Sequence, residues 1–128
     1  MAPTAEETDW PRIVLLYEAL GRLAPNPVVE LNRAAAVAMA TGPATALQIV
    51  DRLTEQGALR GSHLLPGVRG ELLGQLGRTE EAVSELRAAA VLAGNERERD
   101  VLLAKAARLR ASDSSVARTD AMPGDASE

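Results

Sequence analysis

One histidine, His63, and no cysteine make up the chain's whole stock of imidazoles and thiols. A Ser-His-Asp relay needs an imidazole beside a nucleophile, and a zinc site needs three or four nitrogen or sulfur ligands. A single ring nitrogen donor assembles neither. His63 stands where a helix begins, so its own reading is that of a hydrogen-bonding residue at that start. Glu80-Glu81 and the Glu96/Glu98 pair are adjacent acids, but both sets open helices, where negative charge is stabilised by the macrodipole. Gly67, Gly70, Gly74 and Gly77 fall inside or at the end of a helix rather than in a strand-to-helix loop, so they form no phosphate cradle. The expectation is a protein that is not an enzyme, with no cofactor and no metal.

What remains is contact chemistry on helices. His63, Leu64, Leu65, Val68, Leu72, Leu73 and Leu76 lie in a segment whose apolar residues recur at three- and four-residue steps, which makes one helix face oily. Gly77 suits a left-handed cap. Thr79 is expected to cap the next helix, with Glu80 and Glu81 in its first turn. Ala82, Val83, Leu86, Ala89, Ala90 and Ala93 form the second stripe. Gly70, Leu73, Ala82 and Leu86 stand at the offsets of a tetratricopeptide (TPR) hairpin, in which small residues admit close backbone approach. The early Trp and the Tyr of that pattern are missing, and Gly94 stands where a Pro is common.

Composition agrees with helices. The chain has 128 residues, no Phe, one Trp (Trp10) and one Tyr (Tyr17), and 46% of it is hydrophobic, chiefly Ala, Leu and Val. No segment alternates in the manner of a strand. Net charge is −4. Nucleic acid needs concentrated positive charge, so direct binding to it is not expected. The first residues are acidic and polar, unlike a signal peptide, and no apolar run approaches a membrane span. No membrane contact is expected, and the missing cysteines fit a cytoplasmic location.

Taken in order, residues 1–8 read as a frayed leader and 9–110 as one TPR-like helical domain. Residues 111–128 read as a disordered polar tail. Asp9 caps a first helix carrying Ile13, Leu16, Tyr17, Leu20 and Leu23. Asn26 and Pro27 start a second, with Val28, Leu31, Ala35, Ala38 and Met39 inward. A third runs from Ala44 to Glu55 with Leu47, Val50 and Leu53 buried. After the central hairpin, Asn95 to Glu98 form a capping box opening a last helix to about Leu109, with Val101, Leu102, Ala106 and Leu109 inward. The fold class expected is all-α: about six helices, as antiparallel hairpins in a short right-handed solenoid.

An internal register links these helices. Ile13, Tyr17, Leu20 and Pro25 repeat the steps of Ala82, Leu86, Ala89 and Gly94, and Gly42 and Gly77 are equivalent turns 35 residues apart. The helix at Trp10 is thus placed as the second of a hairpin whose first is not in the chain. Its bare face is a candidate surface for a homodimer. Polar residues on the first helices of the repeats are the candidate partner contacts: Asn32 and Arg33 in one, Glu71 and Gln75 in the next, with Arg69 and His63 extending the patch. A competing reading is an internal network, Arg33 with Glu30 and Arg69 with the neighbours of Glu71.

DWPRIVLLYEALGRLAPNPVVELNRAAAVAMATGPATAL, HLLPGVRGELLGQLGRTEEA and GNERERDVLLAKAARL resemble the C-terminal TPR-like extension of a group of ECF (extracytoplasmic-function) RNA polymerase sigma factors. The resemblance covers residues 9 to about 110, with Ser62 where a tyrosine is expected. It implies a cytoplasmic regulatory domain of transcription initiation. Its partners would be proteins, either its own sigma domains or RNA polymerase, and DNA would be read by domains upstream. Two other readings stand beside it: an independent TPR-like adaptor for a peptide of another protein, and a small-molecule sensor.

Overall fold

A computed structural model describes residues 8–126, and all regular structure among them is helical. These residues divide into two compact units, the first ending at Arg60 and the second beginning at Gly61. Each holds three helices joined by short turns.

The first unit contains α1 (Trp10–Leu23), α2 (Pro27–Ala40) and α3 (Pro43–Glu55). Each start is written locally. The Asp9 carboxylate accepts the Arg12 N–H at 3.2 Å, and the Asn26 side-chain oxygen accepts the Val28 N–H at 2.8 Å. Those bonds satisfy donors that a helix leaves orphaned at its first turn. Pro11, Pro27 and Pro43 all lie in first turns, where their missing N–H costs nothing. α2 packs on both α1 and α3. Leu31, Ala34, Ala36 and Val37 of α2 are buried, as are Ala46, Leu47, Ile49, Val50 and Leu53 of α3. No residue of α1 is buried.

The second unit contains α4 (Leu64–Gln75), α5 (Thr79–Leu92) and α6 (Glu96–Ala126), with α5 packed against both of the others. Close approach of α4 and α5 depends on a glycine. A Cβ on Gly70 would lie 2.7 Å from Leu86 Cγ and 3.3 Å from the Ala82 carbonyl oxygen. Leu73 and Leu86 are among the largest fully buried side chains. On its other flank α5 joins Val83, Ala89 and Ala90 to Leu102 and Ala106 of α6, with Ala93 and Leu109 partly buried at the edge.

Gly77 ends α4 at φ 79°, and the Arg78 N–H donates to the Leu73 carbonyl at 2.9 Å. This left-handed cap pairs carbonyls that the helix end would otherwise leave open. At α6, Asn95 accepts the Glu98 N–H at 2.9 Å while the Glu98 carboxylate accepts the Gly94 N–H at 3.3 Å. The reciprocal cap expected there is present, displaced by one residue on the return bond.

Four expectations need correction. The cap position before α5 is Arg78, not Thr79, and no side chain bonds there; Arg78 instead grips Glu81 with two bonds of 2.8 and 2.7 Å. In α2 the inward face holds Ala34, Ala36 and Val37, while Val28, Ala35 and Met39 are exposed. From Ala34 to Ala40 every residue is apolar, so periodicity could not choose a face. Leu64, Leu76 and Val101 are exposed rather than inward. Finally, α6 does not end near Leu109 but continues to Ala126. Between Glu96 and Met122 it meets neither Gly nor Pro, so loss of the apolar stripe is not a stop signal. Residues 1–7 of the expected leader, and the last two of the expected tail, lie outside the described residues.

Candidate functional site

α4 and α6 flank an open groove on one side of the second unit. It has two lobes of about 480 and 400 Å³ that share Glu71 and Lys105. Glycine keeps the helices close: a Cβ on Gly67 would sit 3.7 Å from Leu102 Cδ2, and one on Gly74 would sit 3.1 Å from Leu109 Cδ2. Between the lobes Lys105 Nζ lies 2.5 Å from Glu71 Oε1, an ion pair spanning the two helices.

The larger lobe holds His63, Leu64, Val68, Arg97, Val101 and Leu102 among its walls. Leu64 and Val101 are exposed there, so it offers apolar surface to solvent. His63 Nε2 stands 3.6 Å from a Glu98 carboxylate oxygen, close enough to pair when the ring is protonated. The smaller lobe is walled by Gln75, Leu86, Arg108, Leu109 and Ser112. Along α6, Arg97, Val101, Lys105, Arg108 and Ser112 step by four, four, three and four residues. That spacing places them on one flank of the buried Leu102–Ala106 stripe. Among the described residues neither Arg97 nor Arg108 makes an ion pair.

Three of the six sequence-predicted contacts therefore meet in one place: His63, Glu71 and Gln75 all line the groove. Arg69 does not; its guanidinium lies 3.5 Å from Glu85 on α5. Asn32 is exposed on α2 in the first unit. Arg33 is tied down. Its Nε and Nη2 donate to the two oxygens of Glu30 at 3.0 Å each, Glu18 stands 3.8 Å away, and the side chain is only 17% exposed. The internal network foreseen for Arg33 and Glu30 is thus formed, while Arg69 pairs across to a different helix. In the sequence Arg97, Arg99, Arg108 and Arg110 form a loose basic cluster, in which Glu96, Glu98 and Asp100 interleave with Arg97 and Arg99. The four-four-three spacing of Arg97, Val101, Lys105 and Arg108 is the signal that sets them on one flank.

The Arg33 hydrogen bonds, aided by its positive charge, outweigh partial burial and hold the Glu30 carboxyl below its ordinary value. A carboxylate lowered on folding adds stability above its unfolded value, and that stability is lost as pH falls through the folded value. Arg33→Gln should therefore be less stable to urea than the parent at neutral pH. The gap should shrink as acid protonates Glu30. A gap of constant size from neutral to acid pH would show that the ion pair is not its source.

Among the described residues no group of three or more His, Cys, Asp or Glu side chains is placed to hold a metal ion. No described helix is long and apolar enough to cross a membrane. In the first unit, α1 carries a bare stripe: Leu16, Leu20 and Leu23 are 62%, 45% and 85% exposed.

The described residues are all-helical, and the groove beside α4 and α6 is open to solvent. An uncharacterized protein of Rhizobium meliloti (strain 1021) is 50% identical to the chain over 97 residues, which cover 76% of this chain and 22% of that protein. The chain thus spans about a fifth of the length of the curated relative it matches. No family model matches the chain, and no solved structure matches it.

Proposed function

We propose that this chain is a non-catalytic interaction domain, the C-terminal TPR-like extension of an ECF sigma factor, acting in the cytoplasm on transcription initiation through protein contacts. The observation that carries the reading is the unequal covering of two equivalent helices. Sixty-nine residues separate Ile13, Val14, Tyr17, Leu20 and Gly21 of α1 from Ala82, Val83, Leu86, Ala89 and Ala90 of α5. In α5 the Val83–Ala90 flank meets the helix that follows, and the Ala82–Leu86 flank meets the helix that precedes. In α1 the first of these flanks is covered: a Cβ on Gly21 would lie 4.0 Å from Val29 Cγ1 of α2. On the other flank Ile13 and Tyr17 are only half-buried and Leu20 is 45% exposed, where their counterparts Ala82, Leu86 and Ala89 are 0–1% exposed. A helical repeat buries its apolar face only against a neighbour. The missing neighbour is assigned to a preceding helix of a longer protein.

The resemblance of the DWPRIVLLYEALGRLAPNPVVELNRAAAVAMATGPATAL stretch supplies the class of that protein. The relative's greater length is compatible with such an arrangement. The acidic balance of the chain supports contact with protein rather than with promoter DNA.

Two measurements test the reading. The fragment should co-purify with separately expressed sigma domains of its parent, and removal of residues 9–110 from the parent should change transcription from its promoters. Unaltered transcription after the deletion would remove the regulatory role.

A further inference from the structure

From the groove on the second unit, we infer that α4 and α6 bind a short extended peptide segment with an apolar centre and a carboxylate toward each end. This inference rests on the reading of the chain as a protein-contact domain and names the chemistry of what that domain holds.

Charge decides the occupant. The groove-lining flank of α6 presents Arg97, Lys105 and Arg108, and only Lys105 is neutralised, by Glu71. Arg97 opens into the larger lobe, whose wall also carries Glu98, and Arg108 into the smaller, and neither guanidinium is held in an ion pair among the described residues. Between them lie Val101 and Leu102, faced by Leu64 and Val68 of α4. The sequence of surfaces is thus cation, apolar floor, cation. Eleven residues of helix at 1.5 Å per residue set the two arginines about 16 Å apart along the axis. An extended segment covers that distance in about five residues. A guanidinium suits the outer positions because its planar fork matches a carboxylate.

Nucleic acid fits the same surface less well. Glu71 and Glu98 stand among the cations, and the floor is aliphatic where a strand of bases needs aromatic platforms. Both aromatic side chains of the chain lie in the first unit, on α1.

The central Lys105–Glu71 pair predicts a response of opposite sign. It lies where the two lobes meet, so the bound segment passes over it. Neutralising Glu71 leaves Lys105 free and adds a third cation to the site.

The experiment uses the full chain and a fluorescein-labelled peptide with a glutamate at each end of four leucines, read by fluorescence anisotropy. A peptide with lysines replacing the glutamates, and a single-stranded oligonucleotide, serve as comparisons. The acidic peptide should bind, and salt should weaken it. Paired reversal R97E/R108E should weaken it by about tenfold or more, and Glu71→Gln should strengthen it about threefold. Circular dichroism confirms that the exposed substitutions leave the helices intact. Equal binding of the lysine peptide, an unchanged affinity in R97E/R108E, or preferential binding of the oligonucleotide would overturn the inference. Failure of these peptide arms with intact co-purification of the sigma domains would discard the groove and spare the sigma-factor reading. The converse pattern would spare the groove and discard that reading.

Discussion

Leu86→Ala is expected to cost the second unit about 2–5 kcal/mol, the range for emptying a leucine site in a packed core. For so small a unit each kcal/mol moves the melting midpoint by about 4–8 °C, so the loss is readily seen by circular dichroism. Leu86 is 1% exposed and touches both neighbours of α5. Gly70 makes the result more informative. In the parent, Gly70→Ala places a methyl 2.7 Å from Leu86 Cγ and close to a backbone oxygen. Overpacking of that kind costs about 1–3 kcal/mol, more than the roughly 1 kcal/mol by which alanine favours a helix over glycine. Once Leu86 is truncated only the Ala82 carbonyl oxygen, at 3.3 Å, still crowds the methyl, so the same Gly70→Ala change should cost less or become neutral. The double-mutant cycle therefore shows coupling between the two positions. Additive effects would mean that the glycine does not set the distance between α4 and α5.

Leu16→Glu combined with Leu20→Glu should leave the fold of the chain untouched and abolish its docking. Both side chains are largely exposed, so urea stability should move by no more than about 0.5 kcal/mol. Seated under a neighbouring helix, each leucine would contribute about 1.5–3 kcal/mol by area. Losing both and burying two carboxylates instead should weaken association with the sigma domains by more than about a hundredfold. Pull-down and calorimetry would read the difference. Undiminished association would free this face from any part in docking. Light scattering adds a second arm: a parent dimer made monomeric by the double change would assign the face to a second copy of the chain.

The sequence carried the helices and most of their ends because each end has its own chemistry. Asp9, Asn26, Gly42, Gly77 and Asn95 mark boundaries that the structure keeps. The Gly70–Leu86 contact was also legible, since only a residue without a Cβ fits opposite a leucine there. Orientation was harder. In the alanine run of α2 the inward face is not chosen by hydrophobic spacing. Its polar anchor is Arg33, held to Glu30 and near Glu18 of α1. The groove was half legible, because α4 was read for both faces and α6 for one. Arg97 and Arg108 have no partner on their own helix turn, and their role emerges only when α4 is set beside them.

The placement of Trp10 and Tyr17, both on α1, has a practical corollary for optical work. With no other ring chromophore in the chain, intrinsic emission and near-ultraviolet absorption report on the first three helices and are blind to the last three. Far-ultraviolet ellipticity sums over all six. Recording the two signals on one sample during denaturation therefore separates the melting of each half without labels, and a lag between the traces would order the two events in a single run.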